Sequence, residues 1–196
     1  MNTPSHGNHD RRQSLHLLPS QKVLLIAGPA GAGKTSLAQR VAAVPGWIHI
    51  SEDRLWDEIK HPPHEARSSE DKESKIQPLA LEYIKEALRQ GNSVVLEFIV
   101  YETPPQPIIR YQKELRELGI PFATKVLRPE VEKILERKAA RGDIGDAEHQ
   151  LFNTRLQVRS LSSEFIDSSW VVDSTKESLE ETYQRHFAKI VEPAAG

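Results

Sequence analysis

The 196-residue sequence contains no cysteine, which removes disulfides, thiolate metal sites and cysteine nucleophiles from consideration. It has no apolar run near the ~18 residues that span a bilayer, and its N-terminus lacks the apolar centre of a signal peptide. An excess of one charge is missing too. The 26 Lys and Arg face 28 Asp and Glu, a formal net charge of −2. Such a balance gives no overall basic coat for long nucleic acids, although it leaves room for a local patch. These absences read most simply as a soluble protein of the cytoplasm that spans no membrane. The length is ample for a hydrophobic core and favours one domain.

Met1 to Ser20 are mostly Asn, His, Ser, Arg, Gln and Pro, with a short apolar patch at Leu15, Leu17 and Leu18. That composition buries too little surface to offset the entropy of ordering. Residues 1–20 therefore read as a disordered tail, and residues 21–196 as a single domain. His6, His9 and His16 read as scattered polar residues of the tail, not a metal clip.

Beyond the tail, short apolar runs alternate with helical patterns. Val23–Ala27, Trp47–Ser51, Ser93–Val100, Phe122–Leu127 and Trp170–Asp173 are nearly continuous, as strands covered on both faces require. Leu37, Ala38, Val41 and Ala42 recur at helical spacing. Ile76, Leu79, Ala80, Tyr83, Ile84, Ala87 and Leu88 form one stripe closed by Gly91, with Pro78 marking a kink or a start. Further helices are expected over Gln106–Leu118, Pro129–Arg141, Asp146–Ser163 and Lys176–Val191. The alternation predicts an α/β fold: a parallel sheet between two helical layers, with right-handed crossovers.

Gly28-Pro29-Ala30-Gly31-Ala32-Gly33-Lys34-Thr35 has the spacing of a phosphate-binding loop, the Walker A pattern. It follows an apolar strand and opens a helix, which is the context the chemistry needs. Glycines let the backbone wrap so that its N–H groups converge on phosphate oxygens, and the helix N-terminus adds its positive dipole end. The phosphate-contacting set is then Gly28, Ala30, Gly31, Ala32, Gly33, Lys34, Thr35 and Ser36. Lys34 would reach the β- and γ-phosphates of ATP, and the Thr35 hydroxyl would hold Mg²⁺. A dinucleotide fingerprint fits poorly, because the glycines at 28, 31 and 33 are in the order G-x-x-G-x-G. A guanine-reading Asn-Lys-x-Asp segment is absent, which argues against a GTPase.

The chain from about Val23 to Ser174 resembles the small P-loop kinases that act on metabolites, antibiotics or polynucleotide 5′ ends. That group includes chloramphenicol phosphotransferase-like, zeta-toxin-like and polynucleotide-kinase-like proteins, and predicted kinases grouped with AAA-family ATPases. The resemblance implies a P-loop NTPase fold with five strands in the order 2-3-1-4-5, a small helical lid at about residues 129–163, and ATP with Mg²⁺ as cofactors.

Three landmarks carry it. His49-Ile50-Ser51-Glu52-Asp53-Arg54 ends the second strand, where the family commonly places an Asp that accepts the proton of the substrate hydroxyl; Asp53 matches. Ser51 or Asp53 could also cap the helix that follows. Arg54 and Trp56 are substrate-side candidates beside it, whereas Trp47 and Trp170 read as core. Relatives acting on polynucleotide ends often have Arg three residues after that Asp, and Trp56 stands there instead. Val94-Val95-Leu96-Glu97 resembles a Walker B element. Glu97 is the candidate Mg²⁺ or substrate ligand, with Glu102 as the alternative, because a lone carboxylate in an apolar run is costly to bury. Lys133, Arg137 and Arg141 lie at i, i+4, i+8, and Arg155 and Arg159 repeat the arrangement on the next helix. Neither Arg137 nor Arg141 has an acidic residue three or four positions away. Both therefore read as catalytic lid cations. Asp173-Ser174-Thr175 matches the segment where relatives contact adenine. His61-Pro62-Pro63-His64 reads as a loop, since two prolines preclude helical alignment of the histidines.

The function expected is phosphoryl transfer from ATP to a hydroxyl of a small molecule. Lys34, Asp53, Arg137 and Arg141 would be catalytic, Thr35 and Glu97 would bind metal, and Asp53, Arg54, Trp56 and Glu97 would face the acceptor. Transfer to a polynucleotide 5′ end or a nucleotide-sugar, and a slow ATP-hydrolysing switch, are the alternatives.

Overall fold

The structure is a computed structural model that describes residues 16–62, 65, 67–142 and 145–192. The disordered-tail reading falls mostly on residues 1–15, outside the described residues, as do His64 and part of the turn between the two helices expected to form a lid. At the end of that segment, Leu17 packs against the core and the Leu18 N–H donates to Gln21 Oε1 at 2.6 Å.

Five parallel strands, β1 Val23–Ala27, β2 Trp47–Ser51, β3 Ser93–Phe98, β4 Phe122–Leu127 and β5 Val171–Val172, pair in the order β2-β3-β1-β4-β5. The order and the all-parallel pairing are those expected. Strand β1 is buried along its whole length, and its side chains divide by parity. Val23, Leu25 and Ala27 enter one core cluster with Val94, Leu96 and Phe98, under helices α4 Gln77–Arg89 and α5 Gln106–Glu117. Leu24 and Ile26 enter the other with Val95, under α1 Lys34–Ala42 and α8 Leu179–His186.

Several boundaries differ from expectation for local reasons. β3 stops at Phe98, two residues before Val100, because the chain leaves the sheet at Ile99 to enter the loop at Tyr101–Pro105. β5 keeps only two residues, with a 3₁₀ turn over Ser168–Trp170 before it. The last helix breaks at Phe187 into α8 and α9 Ala188–Val191, where Phe187 leaves helical geometry at φ −122°, ψ −35° with its ring fully buried. Upstream of α4 the helix continues backwards through a π turn, Lys72–Ile76, to α3 Ser69–Asp71. Pro78 sits in the first turn of α4, where its missing N–H is tolerated, so it marks the start of the α-helix, as expected, with the π turn before it. The remaining helices are α2 Glu52–Glu58, α6 Val131–Ala140 and α7 Ala147–Ser160. Ser51 occupies the N-cap of α2 without a side-chain cap bond, and Asp53 lies inside the first turn.

The loop leaves the sheet at Gly28, beside Leu127 at the end of β4. A Cβ there would lie 2.9 Å from Leu127 O and 3.2 Å from Leu127 Cβ, both parts of the sheet that have little freedom to give way. The glycine is therefore required by packing alone, whatever the loop binds. Gly28→Ala is expected to lower stability by about 1–3 kcal/mol with no ligand present, measured by denaturant or thermal unfolding. An unchanged midpoint would contradict this account of the strand–loop junction.

Candidate active site

Strand parity builds the centre of the site. Glu97 lies in register with Ile26 of β1 and Ser51 of β2, and shares a face with Val95, so it points to the side covered by α1. The first turn of α1 brings Thr35 to it, and Thr35 Oγ1 donates to Glu97 Oε2 at 3.0 Å. The other carboxylate oxygen faces His49 Nε2 at 3.2 Å, from β2. Glu97 is only 4% exposed. Burial pushes its carboxyl up, but the His49 hydrogen bond, the Lys34 charge and the Thr35 hydroxyl outweigh that, and the group titrates below its ordinary value. It is a carboxylate at neutral pH.

Lys34 is buried, and its Nζ donates to Pro29 O at 3.0 Å, folding back over its own loop. Burial lowers its pKa to about 8; Glu97 and Asp53 oppose the shift, while Lys72 and Arg141 add to it. Asp53, in the first turn of α2, is largely exposed and pairs with Arg67 at 3.1 Å. The structure thus gathers Lys34, Thr35, Glu97 and Asp53 beyond the carboxyl ends of β1, β3 and β2, where ligands of open parallel sheets bind.

One buried cluster escaped the sequence reading. Glu52, 2% exposed, takes a hydrogen bond from Tyr111 Oη at 2.7 Å and an ion pair from Lys72 Nζ at 3.0 Å. Lys72 also donates to Ile99 O at 2.5 Å. Burial raises the Glu52 carboxyl despite both partners. The cluster ties the start of α2, and hence Asp53, to the π turn, the exit of β3 and α5. Only the neighbouring acids Glu52 and Asp53 hinted at it; Lys72 and Tyr111 are distant in sequence.

Helix α6 lies against the loop. Gly31 has a φ of +90°, and a Cβ on it would lie 3.0 Å from Lys138 Cγ and 3.1 Å from both Ile134 Cγ2 and Ile134 O of α6. Arg137 donates to Ala32 O at 3.1 Å and to Ser174 O at 2.8 Å, so its guanidinium joins α6, the loop and the end of β5. Arg141 is exposed and, with Ala32, Leu37, Arg137, Ser174 and Leu179, lines a cleft of about 370 Å³ beside the loop. The cleft is bordered by neither Asp53 nor Glu97, which lie on the loop's other flank. Among the described residues the buried Ser174 Oγ has no hydrogen-bond partner, an orphan hydroxyl at the wall of that cleft. Arg155 and Arg159 are exposed on α7, and Lys133 pairs with Glu136 at 2.9 Å.

Other expected residues are placed elsewhere. Trp56 is a core residue, 4% exposed, with its ring edge-on to His61, so it offers no face to an acceptor. Arg54 is exposed along a separate groove beside β2 with Tyr83, Glu86 and Gln90. Glu102 accepts from Ser69 Oγ at 3.0 Å, away from Thr35.

The donor set at Thr35 and Glu97 suits a hard cation: one hydroxyl and one ionised carboxylate, already at hydrogen-bond distance. Among the described residues there is no group of three or more His, Cys, Asp or Glu that could hold a metal. Magnesium bound here would take its remaining ligands from phosphate oxygens and water, its usual manner in nucleotide sites.

Residues 23–163 match the family described as an AAA domain (AAA_33). The chain belongs to that family. Its fold is that of the P-loop kinases. The structure is similar to the tunicamycin resistance protein of Deinococcus radiodurans, with a TM-score of 0.66 and 15% identity over 87% of this chain and 96% of that one. It is similar to a sugar kinase from Janibacter sp., with a TM-score of 0.63 and 19% identity over 89% and 97%. It is also similar to the Mycobacterium tuberculosis APS kinase, determined in complex with AMPPNP and APS, with a TM-score of 0.60 and 16% identity over 90% and 100%. No curated protein matches the chain in sequence. Among the described residues, this AAA-domain chain has no helix long and apolar enough to cross a membrane.

The lowered Lys34 pKa predicts how nucleotide binding responds to pH. Phosphate binding favours the charged lysine and raises its pKa, so the affinity for ATP is full below about pH 8 and falls as pH rises through that value. Titration calorimetry between pH 7 and pH 9.5 should show a fall of up to about tenfold per unit, and Lys34→Arg should flatten it. A flat wild-type profile would place the charge that holds the phosphates elsewhere.

Proposed function

We propose that this AAA-domain protein is an ATP- and Mg²⁺-dependent kinase that transfers a phosphoryl group to a hydroxyl of a small molecule. The observation that carries the reading is the convergence of Lys34, the Thr35–Glu97 pair and Asp53 on one rim of the sheet. The similarity to kinases of small molecules, among them a sugar kinase and an APS kinase, supports the acceptor class.

In this reading the amides of residues 30–36 and Lys34 hold the phosphates of ATP in place. Magnesium, when bound through Thr35 and Glu97, neutralises charge on the β- and γ-phosphates. The acceptor oxygen forms a bond to the γ-phosphorus as the bond to the β,γ-bridging oxygen breaks, and ADP leaves. The acceptor proton passes to the Asp53 carboxylate, which must first exchange its Arg67 partner for the hydroxyl. Arg141, exposed at the edge of the cleft and felt electrostatically by Lys34, is the lid cation that would meet the phosphates. Arg137 acts at one remove by holding α6 and the loop together. The cleft wall at Ser174 would take the base and ribose.

Transfer from [γ-³²P]ATP to pooled metabolites, nucleosides, antibiotics and short oligonucleotides tests the reading, with Lys34→Ala as the blank. A labelled small molecule is expected. Asp53→Asn should cut its labelling by about 10²-fold or more while leaving ATP affinity within a few-fold. Label confined to oligonucleotides would move the acceptor to a nucleic-acid end. Tight ATP binding with slow hydrolysis and no labelled acceptor would replace the kinase by a nucleotide switch.

A further inference from the structure

Helix α7 is built with its polar side inward. Its buried residues are Thr154, Gln157 and Ser160, three apart along one stripe, while Phe152 and Leu156 are exposed at 64% and 40%. A helix that buries polar groups must give each a partner. Here the partners all lie on the rim of the nucleotide site. Thr154 Oγ1 accepts from Lys138 Nζ of α6 at 2.8 Å. Ser160 Oγ donates to Glu102 O and accepts from Thr103 Oγ1 at 3.1 Å, in the loop after β3. Gln157, 1% exposed, accepts with Oε1 from the Ala30 N–H of the phosphate loop at 3.1 Å.

Chemistry fixes the orientation of this carboxamide. A backbone N–H can only donate, so Oε1 faces Ala30 and the two Nε2 hydrogens face away from it. Ala30 is the third residue of the loop, and Tyr101 stands on the same flank. Desolvation and the charge of Asp53 push the Tyr101 hydroxyl up, and Gln157 draws it down. Gln157 therefore sits between the loop and the side from which an acceptor reaches Asp53. On that flank the third phosphate of a nucleotide would be exposed to attack.

We propose that Gln157 is the residue through which this protein distinguishes a nucleoside triphosphate from a diphosphate. The inference rests on the nucleotide reading of the loop given above. A carboxamide is both acceptor and donor. With two phosphates bound or none, its oxygen satisfies the Ala30 N–H. With a third phosphate present, the anion takes that N–H, and rotation of the carboxamide presents Nε2–H to a phosphate oxygen. Both states are satisfied without moving α7, whose position Thr154 and Ser160 fix independently. A carboxylate at this position could do only the first of the two.

Titration calorimetry of the full chain with ADP and with AMPPNP, both with Mg²⁺, tests this. Gln157→Glu should keep ADP affinity within a few-fold and weaken AMPPNP by at least about tenfold more, because a donor is replaced by a like charge. Gln157→Leu should narrow the AMPPNP-to-ADP preference by a smaller factor, and retained ADP binding reports that both variants fold. Equal losses for the two nucleotides in both variants, or no change in either, would overturn the proposal. If the wild-type chain binds neither nucleotide, the loop reading fails and the inference falls with it; a wild-type chain that binds both equally refutes the inference alone.

Discussion

A carboxylate placed on an apolar central strand has to be met by donors or be pushed out of its charged form. β3 is flanked by β2 and β1, so Glu97 has no route to water along the sheet, and its compensation comes from three residues on two other elements. Thr35 supplies it from the first turn of α1, His49 from β2, and Lys34 through its charge. This one requirement fixes much else. Slipping β3 by one residue would turn Glu97 to the other face, among Ile84, Leu88 and Ile108, and part it from Thr35 and His49. The register of the sheet, the seat of α1 and the position of the loop lysine therefore depend on the same buried charge.

Protein groups occupy two donors of the loop that phosphates would use: Lys34 is parked on Pro29 O, and the Ala30 N–H on Gln157. The Ala32 carbonyl accepts from Arg137. Gln157 comes from α7 and Arg137 from α6, so these helices and the loop are one packed unit, with Gly31 set directly against α6. A cradle ordered before the ligand arrives needs little reorganisation when charge develops in it, which is where electrostatic catalysis gains most. Asp53 is less committed: it is exposed, and its partner Arg67 stands on a loop.

The parts of this arrangement legible in the sequence were those written in fixed spacing or strong contrast. The glycines, Lys34 and Thr35 stand at set intervals, β1 is an unbroken apolar run, and Glu97 is a lone acid among Val94, Val95, Leu96 and Phe98. What stayed hidden depends on tertiary contact. Glu52, Lys72 and Tyr111 meet from three elements, and only one of them lies in a recognisable motif. Gln157 looks like an ordinary polar helix residue until its neighbour proves to be a loop amide. Trp56 was misassigned because adjacency to Asp53 says nothing about direction: on a helix, positions three apart share a side only approximately, and here the core took the ring. Arg137 showed no local acid because its partners are backbone carbonyls, a kind of partner that no charge pattern reveals.

The central claim is that Thr35 and Glu97 present the metal that accompanies ATP. The direct measurement is the affinity for AMPPNP with and without Mg²⁺, for the wild-type chain and for Glu97→Gln. The account predicts that Mg²⁺ tightens binding to the wild type by about tenfold or more and that Glu97→Gln removes most of that gain while retaining the metal-free affinity. A Mg²⁺-dependent gain that survives the substitution unchanged would contradict it.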